Sequence, residues 1–221
     1  FMNIKKTANL VLNFAIKRIA EIFGIIIFVS GVLLFASLIS YSPDDPNFIF
    51  PENTQIKNLL GFQGSFISDL FFQAVGLIAY LISITFLITG INIFNSKEFF
   101  LFIENIFFVV LYAIFGTLLL AHYYSDTFNI YINGNGGFVG NYLKQTFLSS
   151  LLISNEKIFY YILLLVTSIL FLISINFNSK KFILIIKKIF NLFQKDNKIY
   201  TDKSEIINEY IPQDEIKNLI Q

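Results

Sequence analysis

Cysteine is absent from this 221-residue chain, and histidine occurs once, at His122. The lack of cysteine excludes disulfide bonds, thiolate metal sites and cysteine nucleophiles, and a single histidine gives no basis for a histidine metal cluster. Charged residues are also scarce, at 14% of the chain, against roughly 25% in a soluble domain. Hydrophobic residues make up 55%. These proportions indicate an integral membrane protein and remove most routes to metal-dependent or covalent catalysis.

The first uncharged run extends from Ile22 to Ser40. At a rise of about 1.5 Å per residue, it covers roughly the thickness of the bilayer core. Tyr41 and a turn with two prolines follow, which predicts that the helix ends at the headgroups. Positive charge precedes the run, at Lys5, Lys6, Lys17 and Arg18. This asymmetry places the N-terminus in the cytoplasm.

Residues 1–21 mix basic and apolar side chains and predict a cytoplasmic amphipathic segment on the inner leaflet. A cleavable signal peptide is the competing interpretation. It is disfavoured because no A-x-A-like site closes the first apolar run.

Three more apolar segments predict spans over residues 66–94, 99–121 and 158–175. Together with the first span, at 22–40, they form a four-helix membrane domain over residues 22–178. Asp69 and Gln73 are expected at the outer headgroups. The short link at 95–98 predicts that the second and third spans form an antiparallel hairpin.

Small residues recur along the second and third spans with helical spacing. Such residues let helices approach closely, so we predict that these two spans pack through them. The alternative is that they only dilute the bulky residues. The set comprises Ala79, Ser83, Ala113, Gly116 and Thr117.

Two isolated ionisable residues have competing interpretations. Glu104 lies about one turn inside the third span, where a transport or proton-relay role is one reading. The favoured reading is that it reaches the headgroups or pairs with Lys97. His122, beside Tyr123 and Tyr124, is typical of an aromatic belt at the interface rather than of a ligand.

A glycine-rich stretch follows, with Gly134, Gly136, Gly137 and Gly140. It lacks the Gly-Lys-Ser/Thr of a phosphate-binding loop, so we read it as a turn that leads into a helix. Residues 138–153 alternate apolar and polar pairs with a helical period. They predict an amphipathic helix in the second outer loop, lying in the outer interface.

The C-terminal part is basic and then polar. Residues 179–195 predict a basic amphipathic helix on the cytoplasmic surface, and residues 196–221 a polar cytoplasmic tail that resembles the start of a linker. Of the 16 Lys and Arg residues, only Lys57, Lys144 and Lys157 fall in the two outer loops. The fold class predicted is therefore an all-α integral membrane protein with four transmembrane helices and both termini in the cytoplasm.

The first span ends in the stretch Ser40-Tyr41-Ser42-Pro43-Asp44-Asp45-Pro46. Gly61, Gly64 and Gly76 follow it along the chain. With the glycines from Gly134 to Gly140, this order resembles the N-terminal four-span membrane domain of the FtsK/SpoIIIE family of bacterial DNA translocases. The resemblance covers roughly residues 15–178. It implies an inner-membrane protein at the division septum, with cell-division membrane proteins and further copies of itself as partners besides the lipid bilayer.

The resemblance further implies that ATP, magnesium and DNA are handled by a separate motor domain. The chain contains no Walker motif, so no catalytic, cofactor-binding or metal-binding residue is assigned in it. We expect it to be either the N-terminal piece of a larger protein or a separate membrane subunit. We also predict that Asp44, Asp45 and Pro46 cap the first helix and fix the first outer loop.

The resemblance implies that the chain is the membrane anchor and division scaffold of a DNA translocase that coordinates cell division with chromosome segregation. Two other functions compete with this one. A small four-span transporter or channel would need polar or ionisable groups that converge at the bilayer midplane. A membrane enzyme would need a carboxylate pair, a Ser/His pair or a metal cluster, and none appears at usable spacing.

Overall fold

The computed structural model describes residues 4–46, 55–125, 127, 133–146, 156–178, 183, 184 and 187. Its helices are α1 (Ile4–Ile39), α2 (Gly61–Val75), α3 (Ile78–Ser96), α4 (Phe100–Tyr123), α5 (Gly137–Lys144) and α6 (Glu156–Ser174). No strand occurs among the residues described. The predicted all-α fold class is confirmed.

Four of these helices are long and apolar enough to cross a membrane. They are α3, α4, α6 and the part of α1 from Ala8 to Ile39. The predicted number of four membrane helices is confirmed, and the chain is a multi-pass membrane protein. The direction in which they cross stays a prediction.

The four membrane helices alternate in direction. α1 packs against α3, and α4 packs against α6. We call the end of the bundle that holds the C-termini of α1 and α4 and the N-termini of α3 and α6 the motif end. The other end is the opposite end, where Lys97, with φ +63°, closes the tight α3–α4 turn. The charge distribution predicts that the motif end lies on the non-cytoplasmic side of the membrane.

Helix α1 is longer than the predicted first span. The described part of the predicted amphipathic segment is continuous with the span, and residues 8–19 are exposed. Glu21 then forms ion pairs with Arg18 and, at 2.9 Å, with Lys97. The ion pair between Glu21 and Lys97 therefore joins α1 to the opposite end of the bundle. Glu21 is the last residue before the predicted first span.

The predicted second span, 66–94, needs a correction. The chain there forms two helices, α2 and α3, and only α3 has the length and hydropathy of a membrane span. The break lies at Gly76, whose φ of +59° and ψ of −140° are incompatible with a continuing helix. α2 is a separate helix of 15 residues.

Glycines bring α1 and α3 into close contact. A β-carbon at Gly24 would lie 2.9 Å from the carbonyl oxygen of Gly90, and one at Gly31 would lie 2.7 Å from the amide nitrogen of Leu87. A β-carbon at Gly90 would lie 2.7 Å from the carbonyl oxygen of Gly24. Such contact between backbones is how helices gain packing energy in lipid.

Neutral polar side chains join α3, α4 and α6. Thr85 lies 3.1 Å from the Tyr112 hydroxyl and 3.3 Å from that of Ser174. Nearer the opposite end, the Asn105 amide donates to Thr89 at 2.8 Å and accepts from Asn176 at 3.1 Å. These buried hydrogen bonds hold three helices together without a charge.

Several predicted segments lie wholly or partly outside the described residues. These are residues 1–3 of the N-terminal segment, 147–153 of the outer amphipathic helix, most of the basic helix at 179–195, and the tail at 196–221.

Candidate functional site

Both motifs singled out in the sequence lie at the motif end. We call residues 40–46 the first motif and residues 134–140 the second motif. The first contacts the N-terminal half of α2, and the second contacts the point where α2 ends and α3 begins. α2 thus lies between two segments that are about 90 residues apart in the sequence.

Asp45 binds the segment at Lys57 and Asn58, where the chain returns from the first outer loop to the bundle. The residue is 4% exposed, and its carboxylate accepts the backbone N–H groups of Lys57 and Asn58, both at 2.8 Å. A buried carboxylate that receives two backbone donors is stabilised in place, since each bond is charge-assisted. Asp45 therefore fixes the loop.

The prediction that Asp44, Asp45 and Pro46 cap α1 is wrong. The C-terminal carbonyls of a helix need donors, and an ionised carboxylate only accepts. The donors come from elsewhere: the Asn58 amide donates to the Ser37 carbonyl at 2.9 Å, and the Tyr80 hydroxyl donates to that of Leu38 at 3.2 Å. Ser40 donates to the Ala36 carbonyl at 2.7 Å.

The first motif is also joined to α2. Ser65 donates to the Pro46 carbonyl at 2.9 Å, and Ser37 donates to the Gly64 carbonyl at 2.6 Å. Gly64 has to lack a side chain because a β-carbon there would collide with the Asn58 amide group. Asn58, to which the sequence analysis gave no role, thus contacts α1, Asp45 and α2.

Asp44 and Lys57 form an exposed ion pair, with their oxygen and nitrogen atoms 2.9 Å apart. The hydrogen bond to Asp44, and then its charge, raises the pKa of Lys57 above its ordinary value. An exposed pair of this kind contributes little to stability. The two neighbouring aspartates therefore differ: Asp45 is buried and structural, and Asp44 lies at the surface.

The second motif meets the α2–α3 break in backbone contact. The carbonyl of Asn135 accepts the Leu77 N–H at 3.0 Å, in the place where a β-carbon on Gly76 would stand. A β-carbon at Gly137 would lie 2.6 Å from the Gly76 nitrogen. Gly76 and Gly137 both have positive φ, of +59° and +63°. Each glycine is required by conformation and by space.

The glycines at 136 and 140 let α5 pack directly on α4. A β-carbon at Gly136 would lie 2.7 Å from that of Ala121, and one at Gly140 would lie 2.9 Å from it. Both would also press on the Thr117 carbonyl oxygen. Gly134 differs because there is room for a β-carbon there: the nearest atom, the Ser125 carbonyl oxygen, would lie 3.9 Å away. Only its φ of +67° favours glycine.

The remaining predicted packing residues are buried but do not form one stripe. Ala79 and Ala113 belong to one core cluster with Leu38 and Phe72, and Ser83 is fully buried on α3. A β-carbon at Gly116 would lie 2.6 Å from Ile78 on α3 and 3.1 Å from Thr167 on α6. The backbone carbonyl of Thr117 lies against Gly136 and Gly140 instead. The small residues of α4 thus contact three other helices, α3, α5 and α6.

Side chains on one side of α2 complete the link between the motifs. The Tyr41 hydroxyl donates to Asp69 at 3.3 Å, and the Gln73 amide donates to the same oxygen at 3.5 Å. Asn133, next to the second motif, donates to Gln73 at 2.7 Å. A polar chain therefore runs from the first motif along α2 to the second. Asp69 and Gln73, expected at the headgroups, are part of this chain.

Glu104 and His122 take no part in it. Glu104 is exposed, and Lys97 pairs with Glu21 rather than with Glu104. The His122 ring packs edge-on against Tyr123, with centroids 4.7 Å apart. Tyr124 and Tyr160 share a hydrogen bond of 2.8 Å across α4 and α6. Aromatic residues thus line this end of the bundle.

Comparison with known proteins finds a family that matches most of the chain. The family described as the 4TM region of DNA translocase FtsK/SpoIIIE matches residues 16–185. Proteins named DNA translocase FtsK are similar to the chain, from Rickettsia bellii at 31% identity over 57% of this chain and from Rickettsia typhi at 33% over 43%. Another, from Azospirillum brasilense, is 29% identical over 49% of this chain.

The matched segments cover only 17% of the Rickettsia bellii protein and 13% of the Rickettsia typhi protein. The similarity is therefore to a small part of each relative, and the family match lies in the membrane region. No solved structure matches the chain.

Proposed function

This chain belongs to the family defined by the membrane region of the DNA translocases FtsK/SpoIIIE, and we propose that it anchors a translocase in the bacterial inner membrane. We further propose that its motif end binds cell-division membrane proteins at the septum, so that division and chromosome segregation are coordinated. DNA, ATP and magnesium belong, in this proposal, to a motor domain outside the chain. The observation that carries the proposal is the attachment of α2 to both motifs.

The motif end suits a scaffold because it is held by backbone contacts. A surface that recruits partners has to keep its shape, and pre-organisation reduces the entropy lost on binding. Asp45 fixes the first loop, and the contact between Gly76 and Asn135 fixes the second. Both are built without a catalytic group.

The bundle suits an anchor that is pulled by a motor. α1 and α3 touch through glycines, and neutral hydrogen bonds tie α3, α4 and α6 at two levels. Helices joined in this way resist separation in lipid, where apolar side chains alone supply little specificity. We propose that copies of the chain also associate with one another.

The interior offers less support for a transporter or channel. Among the described residues that are buried, the only carboxylates are Asp45 and Asp69, and both lie at the motif end. The buried polar groups deeper in the bundle, such as Thr85 and Asn105, are neutral and pair with one another. A transport pathway generally needs ionisable or hydrated groups at that depth.

The proposal is tested by following the chain in dividing cells with a fluorescent protein fused to its C-terminus. We expect enrichment at midcell over the lateral membrane. The variant Gly76→Ala, which separates α2 from the second motif, should stay in the membrane but lose the enrichment. Gly61→Ala is the control, since a β-carbon at Gly61 meets nothing within 4 Å. A uniform distribution of the unaltered chain around the cell would overturn the septal role.

A further inference from the structure

A cleft of about 490 Å³ opens beside α2 at the motif end. Its walls are mostly apolar and include Phe66 and Leu70 of α2 and Phe138 of α5. Three polar side chains, Asp69, Gln73 and Asn133, converge on the same space. An apolar cleft with a few converging polar groups is the usual form of a ligand site.

Asp69 is the unusual member of this group. The residue is only 6% exposed, yet its Oδ1 atom takes both of its hydrogen bonds, and both are long, at 3.3 and 3.5 Å. Among the described residues, none donates to Oδ2, and no cation pairs with the carboxylate. A carboxylate that lines a mostly apolar cleft favours a hydrogen-bonded cation as its partner.

The cleft therefore calls for a ligand that has a hydrogen-bonding cation next to hydrocarbon. Leu70 is 52% exposed and Phe138 is 62% exposed, beside the ends of helices that cross the membrane. Exposed apolar side chains beside the ends of membrane helices are suited to contact with lipid. A phospholipid with a primary ammonium in its headgroup has both required parts.

A lysine from a protein partner is the less favoured occupant. The charge distribution predicts that the motif end lies on the non-cytoplasmic side of the membrane, where the loops of membrane proteins contain few lysines and arginines. Lipid, by contrast, surrounds this surface at high concentration.

We propose that the cleft beside α2 binds a phospholipid with a primary ammonium headgroup. The ammonium donates to Asp69, and an acyl chain lies along Phe66, Leu70 and Phe138. Since Gln73 and Asn133 line the same cleft, the lipid would strengthen the link between the two motifs. This inference is independent of the proposed function, because it concerns only what the membrane region binds.

The test uses the chain purified in detergent and offered phosphatidylethanolamine, phosphatidylcholine and phosphatidylglycerol in equal amounts. Native mass spectrometry then counts the lipids that stay bound. We expect phosphatidylethanolamine to be retained, and Asp69→Asn to reduce its retention about tenfold, since a charged hydrogen bond is lost. The matched control Asp44→Asn removes the same charge from the exposed surface and should leave retention unchanged.

A second variant keeps the proposal testable if Asp69→Asn does not fold. Leu70→Trp fills the cleft from an exposed position, leaves Asp69 in place, and should also displace the lipid. Retention that is unchanged in both variants would overturn the proposal. So would equal retention of phosphatidylcholine, whose headgroup has no N–H to donate. A photoreactive residue at position 70 that captures a polypeptide in cells rather than lipid would also contradict it.

Discussion

The backbone carbonyl of Asn135 stands where a β-carbon on Gly76 would have to be. The same carbonyl accepts the N–H of Leu77 at 3.0 Å and so takes up a donor that the break between α2 and α3 leaves free. A glycine in the second predicted span is thus paired with the glycine-rich loop that lies nearly 60 residues further along the chain.

We predict that Gly76→Ala lowers the free energy of unfolding by about 3–5 kcal/mol. The new side chain meets the Asn135 carbonyl and also strains a backbone with positive φ, and the two effects add. Thermal unfolding in detergent measures the change. Gly61→Ala has a similar φ, of +65°, but open space around it, so only the backbone strain of about 1–2 kcal/mol should remain. Equal effects of the two variants would show that the contact with Asn135 is unimportant.

Asp45→Asn is predicted to destabilise the chain, whereas Asp44→Asn is not. Replacing one carboxylate oxygen of Asp45 by an NH₂ group leaves either the Lys57 or the Asn58 N–H without an acceptor, at a cost of about 1–3 kcal/mol. Asp44 is exposed and pairs with Lys57 at the surface, where an ion pair contributes little to stability. Denaturation of the two variants side by side gives the difference, and a larger loss in Asp44→Asn would contradict the assignment.

The neutral hydrogen bonds inside the bundle should differ in importance. Asn105→Ala removes two bonds, to Thr89 and from Asn176, and we expect a loss of about 1–3 kcal/mol. Tyr112→Phe removes one bond to Thr85, which still donates to the Leu81 carbonyl at 3.0 Å, so the expected loss is below about 1 kcal/mol. Thermal unfolding of the two variants measures the difference, and we expect the lower unfolding temperature for Asn105→Ala. A lower unfolding temperature for Tyr112→Phe would be inconsistent with this network.

The orientation can be tested with single cysteines, because the chain has none of its own. Leu59→Cys is at the motif end and Ser96→Cys is at the opposite end, and both positions are exposed. A membrane-impermeant maleimide should label Leu59→Cys in spheroplasts, which lack an outer-membrane barrier, and Ser96→Cys only after the inner membrane is permeabilised. The reverse pattern would place the motif end in the cytoplasm.

The number of membrane helices could be predicted from the sequence because each predicted span is a long apolar run with at most one charged residue. The break at Gly76 could not, since residues 66–94 are almost continuously apolar and a glycine is compatible with a membrane helix. What decides the conformation there is the Asn135 carbonyl, which no local pattern reveals. The turn at the glycine motif could be predicted from the sequence, whereas its contact with Gly76 could not.

Other parts of the site were missed for similar reasons. Asp44 and Asp45 look equivalent in the sequence, yet only the fold makes one of them an acceptor for two backbone amides. The α1–α3 contact through Gly24 and Gly90 was also missed, although glycines within apolar runs are a signal for close packing. The sequence predicts Asp69 at the outer headgroups, and its burial depends on the separate course of α2, which the sequence does not reveal.

The most direct measurement is whether α2 is held to the second motif in the membrane. Cysteines at Gln73 and Asn133, whose side chains are joined by a 2.7 Å hydrogen bond, would be treated with a short thiol crosslinker in native membranes. Mass spectrometry of the digested chain should find the two sites linked. The control pair, Gln63→Cys with Asn133→Cys, moves one thiol about 15 Å along α2 and should stay unlinked. Absence of the 73–133 link, or equal linking of the control pair, would contradict the attachment of α2 to both motifs.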